Sequence, residues 1–334
     1  MKVLITGGLG FIGHSIVQKL VHQGHEVHAL GRTAYPSKDK LIPGLQYHVH
    51  DLSQSVLSPD WLMGTDTIFH VAAKAGVGGK YADYFHANVL STENLLHAAK
   101  QCGVRRFIYT STPSVVFAKS SICNGNESLP YSTENFSPYA TTKALAEKCV
   151  LDADDPSGMR TIALRPHLVW GSGDPHLLPR VIARHRAGKF KIVGDGTNKV
   201  DLTHIENVVH AHLCAFDAMI ADASLGGRKY FIGQEEPVPL WPWLNQIFLE
   251  IGLPTLDRSI SFKTAYHLGQ GIEKIWDIFR LKKDPPMTRF IACQLAQDHW
   301  FSSQAARNDL NYRPIISMSQ AMEKTLPWLR QLSP

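Results

Sequence analysis

Tyr139 and Lys143 are the two side chains of this sequence whose types and spacing most clearly suggest chemistry. They fall at the start of a predicted helix over residues 138–153, and their i,i+4 spacing places them on one helix face. An ammonium group beside a phenol favours the phenolate and lowers a pKa that is normally about 10. The pair therefore predicts a tyrosine that acts as a general acid near neutral pH, although the spacing alone is common by chance.

A hydroxyl-rich segment supplies a partner for this tyrosine. Residues 109–114 read Tyr-Thr-Ser-Thr-Pro-Ser and complete a predicted buried strand over 106–111. A hydroxyl at this strand end can hydrogen-bond the same carbonyl oxygen that Tyr139 would protonate. Taken alone, the segment fits an ordinary hydroxyl-rich turn equally well.

Three glycines near the start of the chain have a spacing that suits phosphate binding. Gly7, Gly10 and Gly13 lie between a predicted strand over 3–6 and a predicted helix over 11–22. Gly7 permits a tight turn, Gly10 lets the backbone approach a pyrophosphate, and Gly13 lets helix and strand pack closely. The N–H groups and positive dipole end of the helix then favour the phosphates. Strand, loop and helix together predict a dinucleotide-binding site.

The end of the next predicted strand, over 26–30, indicates which dinucleotide binds. A cofactor without a 2′-phosphate usually meets an acidic residue here. This chain instead has Leu30-Gly-Arg32-Thr33. Because a guanidinium forms a bidentate pair with a phosphate, Arg32 favours NADP(H) over NAD(H). The alternative is that Arg32 is a solvated loop residue.

Alternating strand and helix patterns in the first 170 residues predict the elements that position these groups. The strand patterns cover 3–6, 26–30, 46–50, 67–71, 106–111 and 161–165. The helix patterns cover 11–22, 84–102 and 138–153. This order predicts an α/β fold with a doubly wound parallel sheet of the Rossmann type, and ligands beyond the carboxyl ends of its strands.

The rhythm changes after Gly171, where helix patterns dominate. We therefore expect a cofactor-binding domain over 1–170, with 193–216 packing back on it. The remainder, 171–334, is expected to form a smaller, mostly helical and discontinuous substrate domain.

Composition and charge narrow the class of protein. The chain has 334 residues, 44% hydrophobic and 19% charged, with a formal net charge of +5 spread over dispersed basic residues, which does not suggest nucleic-acid binding. Five cysteines without paired spacing, and His210 and His212 on different helix faces, predict neither a disulfide framework nor a metal site. No signal-peptide pattern precedes the first strand and no apolar run reaches roughly 18 residues. We therefore expect a cytoplasmic protein without a transmembrane segment.

Several motifs follow one another in an order that resembles a known superfamily. They are Gly7-x-x-Gly10-x-x-Gly13, His70-Val-Ala-Ala73, Asn88-Val89, Tyr139-x-x-x-Lys143 and Arg165-Pro166. Together they resemble the extended short-chain dehydrogenase/reductases over essentially the whole chain. Six further segments resemble the branch that holds 3β-hydroxysteroid and sterol-4-carboxylate dehydrogenases, and within it the bacterial 2-alkyl-3-oxoalkanoate reductases of long-chain olefin biosynthesis. These segments are 72–77, 109–116, 164–168, 193–201, 260–266 and 285–290.

The resemblance implies a role for each motif residue. Tyr139 would donate a proton, and Lys143 would bind the nicotinamide ribose and bias Tyr139. The catalytic hydroxyl position falls on Thr112, where most relatives carry serine, with Ser111 and Ser114 as alternatives. The implied cofactor contacts at the pyrophosphate and 2′-phosphate are Gly7, Gly10, Phe11, Ile12, Gly13 and Arg32. Those at the adenine are Asp51 and Leu52, and those at the nicotinamide half are Ala72, Ala73, Asn88, Pro166, His167 and Val169.

One position departs from the related nucleotide-sugar epimerases. Those enzymes typically carry an arginine directly before an aspartate in the segment that matches residues 199–205, where it grips the sugar diphosphate. This chain has Val200 before Asp201. A diphosphate would lose its bidentate partner there, so the sequence argues against a nucleotide-sugar substrate.

Residues 264–283 bear on the substrate because apolar side chains recur there at helical spacing with basic residues around them. The apolar members are Leu268, Ile272, Ile275 and Phe279, and the basic ones are Lys274, Arg280, Lys282 and Lys283. The pattern fits ordinary packing on the second domain. It also fits a lid over a long acyl channel, or an amphipathic surface for peripheral contact with a membrane or a partner.

These observations favour NADPH-dependent reduction of a long-chain 2-alkyl-3-oxoalkanoate to the 2-alkyl-3-hydroxyalkanoate. The alternative is a 3β-hydroxysteroid or sterol-4-carboxylate 3-dehydrogenase that uses the same residues. A second alternative, a non-catalytic NADP-binding regulatory protein, is disfavoured by the tyrosine–lysine pair. Lys74, His167 and Arg180 remain open as partners of the substrate carboxylate. The resemblance also implies a homodimer built through helices near 84–102 and 138–153, and association with other olefin-pathway enzymes.

Overall fold

The computed structural model describes residues 1–34, 42–54, 57–134, 137–279, 281 and 284–332. Its strands are β1 (Lys2–Thr6), β2 (Glu26–Gly31), β3 (Leu45–Val49), β4 (Thr67–His70), β5 (Arg106–Thr110), β6 (Ile122–Gly125), β7 (Arg160–Pro166), β8 (Ile192–Val193), β9 (Lys199–Val200), β10 (Arg228–Ile232), β11 (Val238–Pro239), β12 (Ser259–Ile260) and β13 (His299–Phe301). Its helices are α1 (Phe11–His22), α2 (Pro59–Leu62), α3 (Tyr81–Tyr84), α4 (Ser91–Gln101), α5 (Pro138–Asp152), α6 (Leu177–Arg186), α7 (Ile205–Ala221), α8 (Leu240–Glu250), α9 (Phe262–Phe279), α10 (Arg289–Ala296), α11 (Gln304–Asp309) and α12 (Met318–Gln331).

Seven strands form the main sheet in the order β10-β7-β5-β4-β1-β2-β3. All neighbouring pairs in it are parallel. The chain reverses its direction of travel across the sheet between β1 and β4, which opens a crevice at the carboxyl ends of the strands. The predicted doubly wound parallel sheet is confirmed.

Buried apolar side chains of β1 alternate between the two faces of this sheet. Val3 and Ile5 pack with Ile16 of α1 and Phe216 of α7, whereas Leu4 packs in a second cluster with residues of α4 and α5. Because both faces are covered, the strand is an uninterrupted apolar run. This double burial fixes the ends of β1 and β4, from which two of the site loops emerge.

The helical pattern over 84–102 proves to be interrupted. Between α3 and α4, residues Phe85–Leu90 form a wider π-helical turn. The buried side chain of Asn88 leaves this turn to bond the backbone N–H and carbonyl of Lys74 and the hydroxyl of Thr142. These bonds tie the loop after β4 to α5, and wide turns of this kind often mark functional sites.

The elements after residue 170 divide between two cores. Helix α7 packs on α1, β5 and β7, and β10 extends the main sheet. Helices α6, α8, α9, α10 and α12 share a second apolar cluster around Trp241 and Phe248, joined by the small sheets β11-β9-β13-β6 and β12-β8. The boundary near residue 170 stays a prediction. Within the described part of the chain, no helix is long and apolar enough to cross a membrane.

Candidate active site

A cavity of about 700 Å³ opens at the carboxyl ends of the main-sheet strands and continues between the helices of the second core. It brings together most of the residues singled out from the sequence. These are Gly7, Gly10, Phe11, Ile12, Gly13, Ala72, Ala73, Thr112, Tyr139, Lys143, Pro166, His167 and Val169, with Ser111 and Ser114 beside them. Segments that are far apart in sequence meet here because parallel strands end at one edge of the sheet.

The glycine loop leaves no room for side chains. Gly7 has a φ of +69°, and its N–H donates to the Leu30 carbonyl over 2.8 Å. A Cβ atom on Gly13 would lie 2.2 Å from the Gly7 carbonyl oxygen. Gly10 precedes α1, whose first turn contains no acidic residue, so the first N–H groups of the helix remain available to an anion. The loop therefore fits a dinucleotide pyrophosphate.

The start of α5 positions the tyrosine and the lysine. The hydroxyl of Ser137 accepts a hydrogen bond from the Ala140 N–H over 3.4 Å, and Pro138 occupies the first helical position. Both features favour helix initiation at this point, which sets Tyr139 and Lys143 in the first two turns. Thr112 is held in the same way: its hydroxyl oxygen accepts from the Ser114 N–H over 3.2 Å. The Thr112 hydroxyl is close enough to the Tyr139 phenol to influence its pKa, and both side chains line the cavity.

The prediction that the lysine lowers the pKa of Tyr139 is wrong for this structure. Desolvation raises the pKa of the Tyr139 phenol above its usual value, and the neighbouring Thr112 hydroxyl opposes that rise. The Lys143 ammonium is directed elsewhere: Nζ donates to the Thr110 carbonyl over 2.6 Å and lies 4.0 Å from the centre of the Tyr109 ring. Tyr139 therefore carries its proton at neutral pH in this structure.

Lys143 is itself perturbed by burial. Its side chain is 2% exposed, and desolvation lowers its pKa to about 7, against an opposing contribution from the Glu147 carboxylate. A lysine in this state is neutral in part of the population at neutral pH, and it gains charge when an anionic or hydroxyl-bearing ligand approaches.

The ion pair of Glu147 and Arg165 was not predicted from the sequence. Both side chains are fully buried, and Arg165 Nε donates to Glu147 Oε2 over 3.0 Å while Tyr131 donates to Oε1 over 2.8 Å. Glu147 follows Lys143 by four residues, so Tyr139, Lys143 and Glu147 share one face of α5. That extended spacing is the signal by which the sequence could have revealed the pair.

Four predicted cofactor residues lie outside the cavity wall. Arg32 is exposed at the end of β2, and Asp51 is half-buried. Partial burial opposes a lowered pKa at Asp51, but hydrogen bonds from Ser53 and the nearby charge of Arg32 outweigh it. Leu52 belongs to the core beneath β2, and the side chain of Asn88 is occupied by the bonds to Lys74 and Thr142. Their roles toward a cofactor stay predictions.

The far half of the cavity is mainly apolar and comes from three helices. Helix α6 contributes Leu177, Arg180, Val181 and Arg184, a helical spacing that turns one face toward the cavity. Helix α8 contributes Leu240, Trp243 and Leu244, and α10 contributes Phe290, Ile291, Gln294 and Leu295. Neither Arg184 nor Trp243 was predicted from the sequence to be a site residue.

The amphipathic pattern of residues 264–283 becomes α9, which lies behind α10. Ala265 and Gly269 are buried, and a Cβ atom on Gly269 would lie 2.5 Å from the Thr288 carbonyl carbon. None of the described α9 residues lines the cavity, so α10 forms the wall that the lid interpretation had assigned to this region. Ile275 and Phe279 of the apolar stripe are largely exposed. Arg280, Lys282 and Lys283 lie outside the described residues.

Comparison with known proteins gives consistent matches over nearly the whole chain. The model of the 3-beta hydroxysteroid dehydrogenase/isomerase family matches residues 4–264. The 2-alkyl-3-oxoalkanoate reductase of Stenotrophomonas maltophilia is 42% identical over 326 residues, which cover 97% of this chain and 98% of the relative. The decarboxylating sterol-4-alpha-carboxylate 3-dehydrogenase of Mus musculus is 33% identical over 330 residues, which cover 97% and 91%. A solved UDP-glucuronic acid 4-epimerase from Bacillus cereus, in complex with NAD, shares the fold with a TM-score of 0.75 at 24% identity over 100% of both chains.

The parallel sheet, the glycine loop and the tyrosine–lysine pair define an oxidoreductase of the extended short-chain dehydrogenase/reductase class. Within that class, the chain belongs to the 3-beta hydroxysteroid dehydrogenase/isomerase family. The superfamily, the branch and the oxidoreductase activity predicted from the sequence are thereby confirmed.

Proposed function

We propose that this oxidoreductase reduces the 3-oxo group of a long-chain 2-alkyl-3-oxoalkanoate to a hydroxyl group, with NADPH as the reductant. The observation that carries the proposal is the meeting of Thr112, Tyr139 and Lys143 on the wall of one cavity whose far half is mainly apolar. The 42% identity with a 2-alkyl-3-oxoalkanoate reductase supports this substrate class.

The chain's own side chains would supply the proton and orient the carbonyl. The bound nicotinamide supplies hydride to C3 of the substrate. Tyr139 donates its phenolic proton to the carbonyl oxygen as the C=O π bond breaks, which forms the new O–H bond. Thr112 hydrogen-bonds the same oxygen and thereby fixes its position between the two hydroxyl groups. Lys143 would bind the nicotinamide ribose, and its charge would stabilise the phenolate that remains.

The preference for NADPH would reside at the other end of the cofactor. The glycine loop fits the pyrophosphate, and Arg32 stands exposed at the end of β2, where its guanidinium can reach a 2′-phosphate. The nearby Asp51 carboxylate is half-buried and accepts hydrogen bonds from Ser53. Among the described residues it forms no ion pair with Arg32, so the guanidinium stays available to a phosphate.

The apolar half of the cavity would select long alkyl chains. Burial of each methylene group contributes roughly 0.8 kcal/mol, so several methylenes against Leu240, Leu244 and Val181 discriminate strongly between long and short acids. Val200 lies fully buried in the second core, at the position where nucleotide-sugar epimerases typically place an arginine. A diphosphate therefore lacks a cationic partner at that position.

The decisive experiment measures oxidation of NADPH with a fresh synthetic long-chain 2-alkyl-3-oxo acid and, in parallel, with a 3-oxosteroid. We expect rapid oxidation with the alkyl acid and little with the steroid. Turnover of the steroid alone would move the protein to the steroid-oxidising branch of the family. Cofactor binding without turnover of either compound would favour a regulatory role.

A further inference from the structure

The charged residues on the cavity wall are unequally paired. Among the described residues that line it, the acids are Asp174 and Asp284, and the side chains of lysine and arginine are Lys143, Arg180 and Arg184. Asp174 accepts hydrogen bonds from three backbone N–H groups at the start of α6, over 2.8 to 3.0 Å. Asp284 is therefore left as the one acid available to the two arginines in this set.

Arg180 already holds a carboxylate. Its guanidinium forms an ion pair with Asp284, and both side chains are partly exposed. Asp284 also lies against the loop after β4, where a Cβ atom on Gly78 would be 3.0 Å from the Asp284 Cα atom. The position beside Arg180 thus accepts a carboxyl group, and it lies against the loop after β4.

Arg184 lies one helical turn beyond Arg180, and its guanidinium forms no side-chain hydrogen bond or ion pair with any described residue. Its side chain is half-buried among apolar neighbours. Burial lowers its pKa, and the like charge of Arg180 lowers it further. A substrate that fills the cavity would displace water from this half-buried guanidinium, and a carboxylate on the substrate would offset the lost hydration. With Asp284 already paired with Arg180, one more carboxylate would neutralise the positive charge of the two arginines.

We propose that Arg180 and Arg184 form the binding site for the carboxylate of the substrate. This inference rests on the proposed function, because it assigns a subsite to the same acid. A β-oxo acid carries its carboxylate two carbons from the reacting carbonyl carbon, so the anchor must lie near Tyr139. Arg180 lines the same cavity as Tyr139, and its ion-pair partner Asp284 lies against the loop after β4.

The structure favours the arginines over the two other residues that the sequence offered as partners of the substrate carboxylate, His167 and Lys74. His167 is buried, and desolvation followed by the charge of His299 lowers its pKa well below the usual value, so it stays neutral. Lys74 lies 5.2 Å from the centre of the Tyr84 ring, outside the cavity wall. The guanidinium fork of Arg184 can bind a carboxylate through two parallel hydrogen bonds, which neither of these residues can.

The test compares an acid with its uncharged methyl ester in wild-type protein and in Arg184→Met. We expect the variant to lose roughly 10- to 100-fold in kcat/KM for the acid, mainly through KM, and far less for the ester. Arg184→Lys should recover part of the loss. Arg186→Met is the matched control, because Arg186 lies on the same helix and bonds the Leu332 carbonyl instead of facing the cavity; it should behave as wild type. Equal losses for acid and ester would overturn the site.

Calorimetric binding of a non-reducible long-chain 2-alkyl alkanoic acid distinguishes this site from the proposed reaction. If the wild-type protein fails to reduce the oxo acid but binds the alkanoic acid, and Arg184→Met weakens that binding, the site stands and the reaction is wrong. If wild-type protein and Arg184→Met reduce the oxo acid equally well, the reaction stands and the site is wrong.

Discussion

Two regions of the cavity differ in how their polar groups are hydrogen-bonded. The corner, around Thr112, Tyr139 and Lys143, would perform the chemistry, and the wall, formed by α6, α8 and α10, would select the substrate. In the corner, Lys143 and Thr112 are each bonded to neighbouring protein groups. In the wall, the buried Trp243 Nε1 has no hydrogen-bond partner among the described residues, and the half-buried Arg184 guanidinium has no ion pair there. The Ser111 hydroxyl and His167 Nδ1 are also without a partner in the corner, so the contrast lies in Lys143 and Thr112, which the protein holds in place before substrate arrives. Groups held in advance suit chemistry common to a family. A wall with unsatisfied donors suits selection of one ligand, because binding is favourable only when those donors are met.

The largest effect should come from Tyr139→Phe. Loss of the proton donor is expected to reduce NADPH-dependent reduction roughly 10²- to 10⁴-fold, which is the usual contribution of a general acid. Cofactor affinity, followed by nicotinamide fluorescence, should stay close to wild type. Tyr81→Phe, at an exposed tyrosine of α3, is the control. Retention of full activity by Tyr139→Phe would contradict the assigned chemistry.

A smaller effect is expected from Val181→Trp in the wall. The larger side chain would fill the space of about three methylene groups of the substrate. The binding free energy lost would be roughly 2.4 kcal/mol, which lowers kcat/KM for the longest acids about 60-fold. Short-chain acids should react as with wild type, which separates loss of space from loss of folding. A uniform decrease over all chain lengths would show that the two regions are not independent.

Arg32→Ala tests the binding of the 2′-phosphate and should lower the affinity for NADPH about tenfold. This loss is at the low end of the range for hydrogen bonds between charged groups, because Arg32 is exposed. NADH provides the matched comparison, since it lacks the 2′-phosphate and should bind both proteins equally. Affinities are best measured by titration of nicotinamide fluorescence. An equal loss for both cofactors would contradict the role given to Arg32.

The smallest effect concerns Asp201, which is buried outside the cavity wall and accepts a hydrogen bond from the Phe301 N–H over 2.7 Å. Burial raises its pKa to about 7, so the folded protein binds a proton that the unfolded chain releases near pH 4. Its contribution to the free energy of unfolding is therefore complete at low pH and is lost as pH rises from about 4 to 7. Asp201→Asn removes this dependence and should be more stable than wild type at pH 8 by about 1 kcal/mol, or about fivefold in the unfolding equilibrium.

Urea unfolding of the Asp201→Asn variant and wild type at pH 5 and pH 8 gives the measurement. Asp195→Asn is the control, because hydrogen bonds from Thr197 lower the pKa of that carboxyl out of this pH range. A stability difference between Asp201→Asn and wild type that does not change with pH would show that Asp201 stays ionised in the fold.

The sequence predicted the sheet closely and the helices less evenly. The six predicted strands of the main sheet lie within a residue of β1, β2, β3, β4, β5 and β7. Strands such as β1 and β4 are almost wholly buried runs, which are easily recognised, whereas β3 at the edge of the sheet is partly exposed. Helix α1 has the predicted bounds, whereas the pattern over 84–102 gave no sign of the π-helical turn. That turn depends on bonds from Asn88 to the loop after β4, which periodicity cannot show.

The sequence by itself determined the class of fold, the glycine loop and the grouping of Thr112, Tyr139 and Lys143, since each depends on local spacing or on strands that end at one edge. The tertiary structure decided the electrostatics and the cavity. Burial raises the pKa of Tyr139, against the sequence-based prediction. Lys143 does not offset that rise, because its Nζ donates to the Thr110 carbonyl instead. Arg180 and Arg184 of α6 become candidate ligands of a carboxylate only because α8 and α10 complete the cavity around them. Desolvation and ion pairing depend on packed neighbours, which sequence distance does not show.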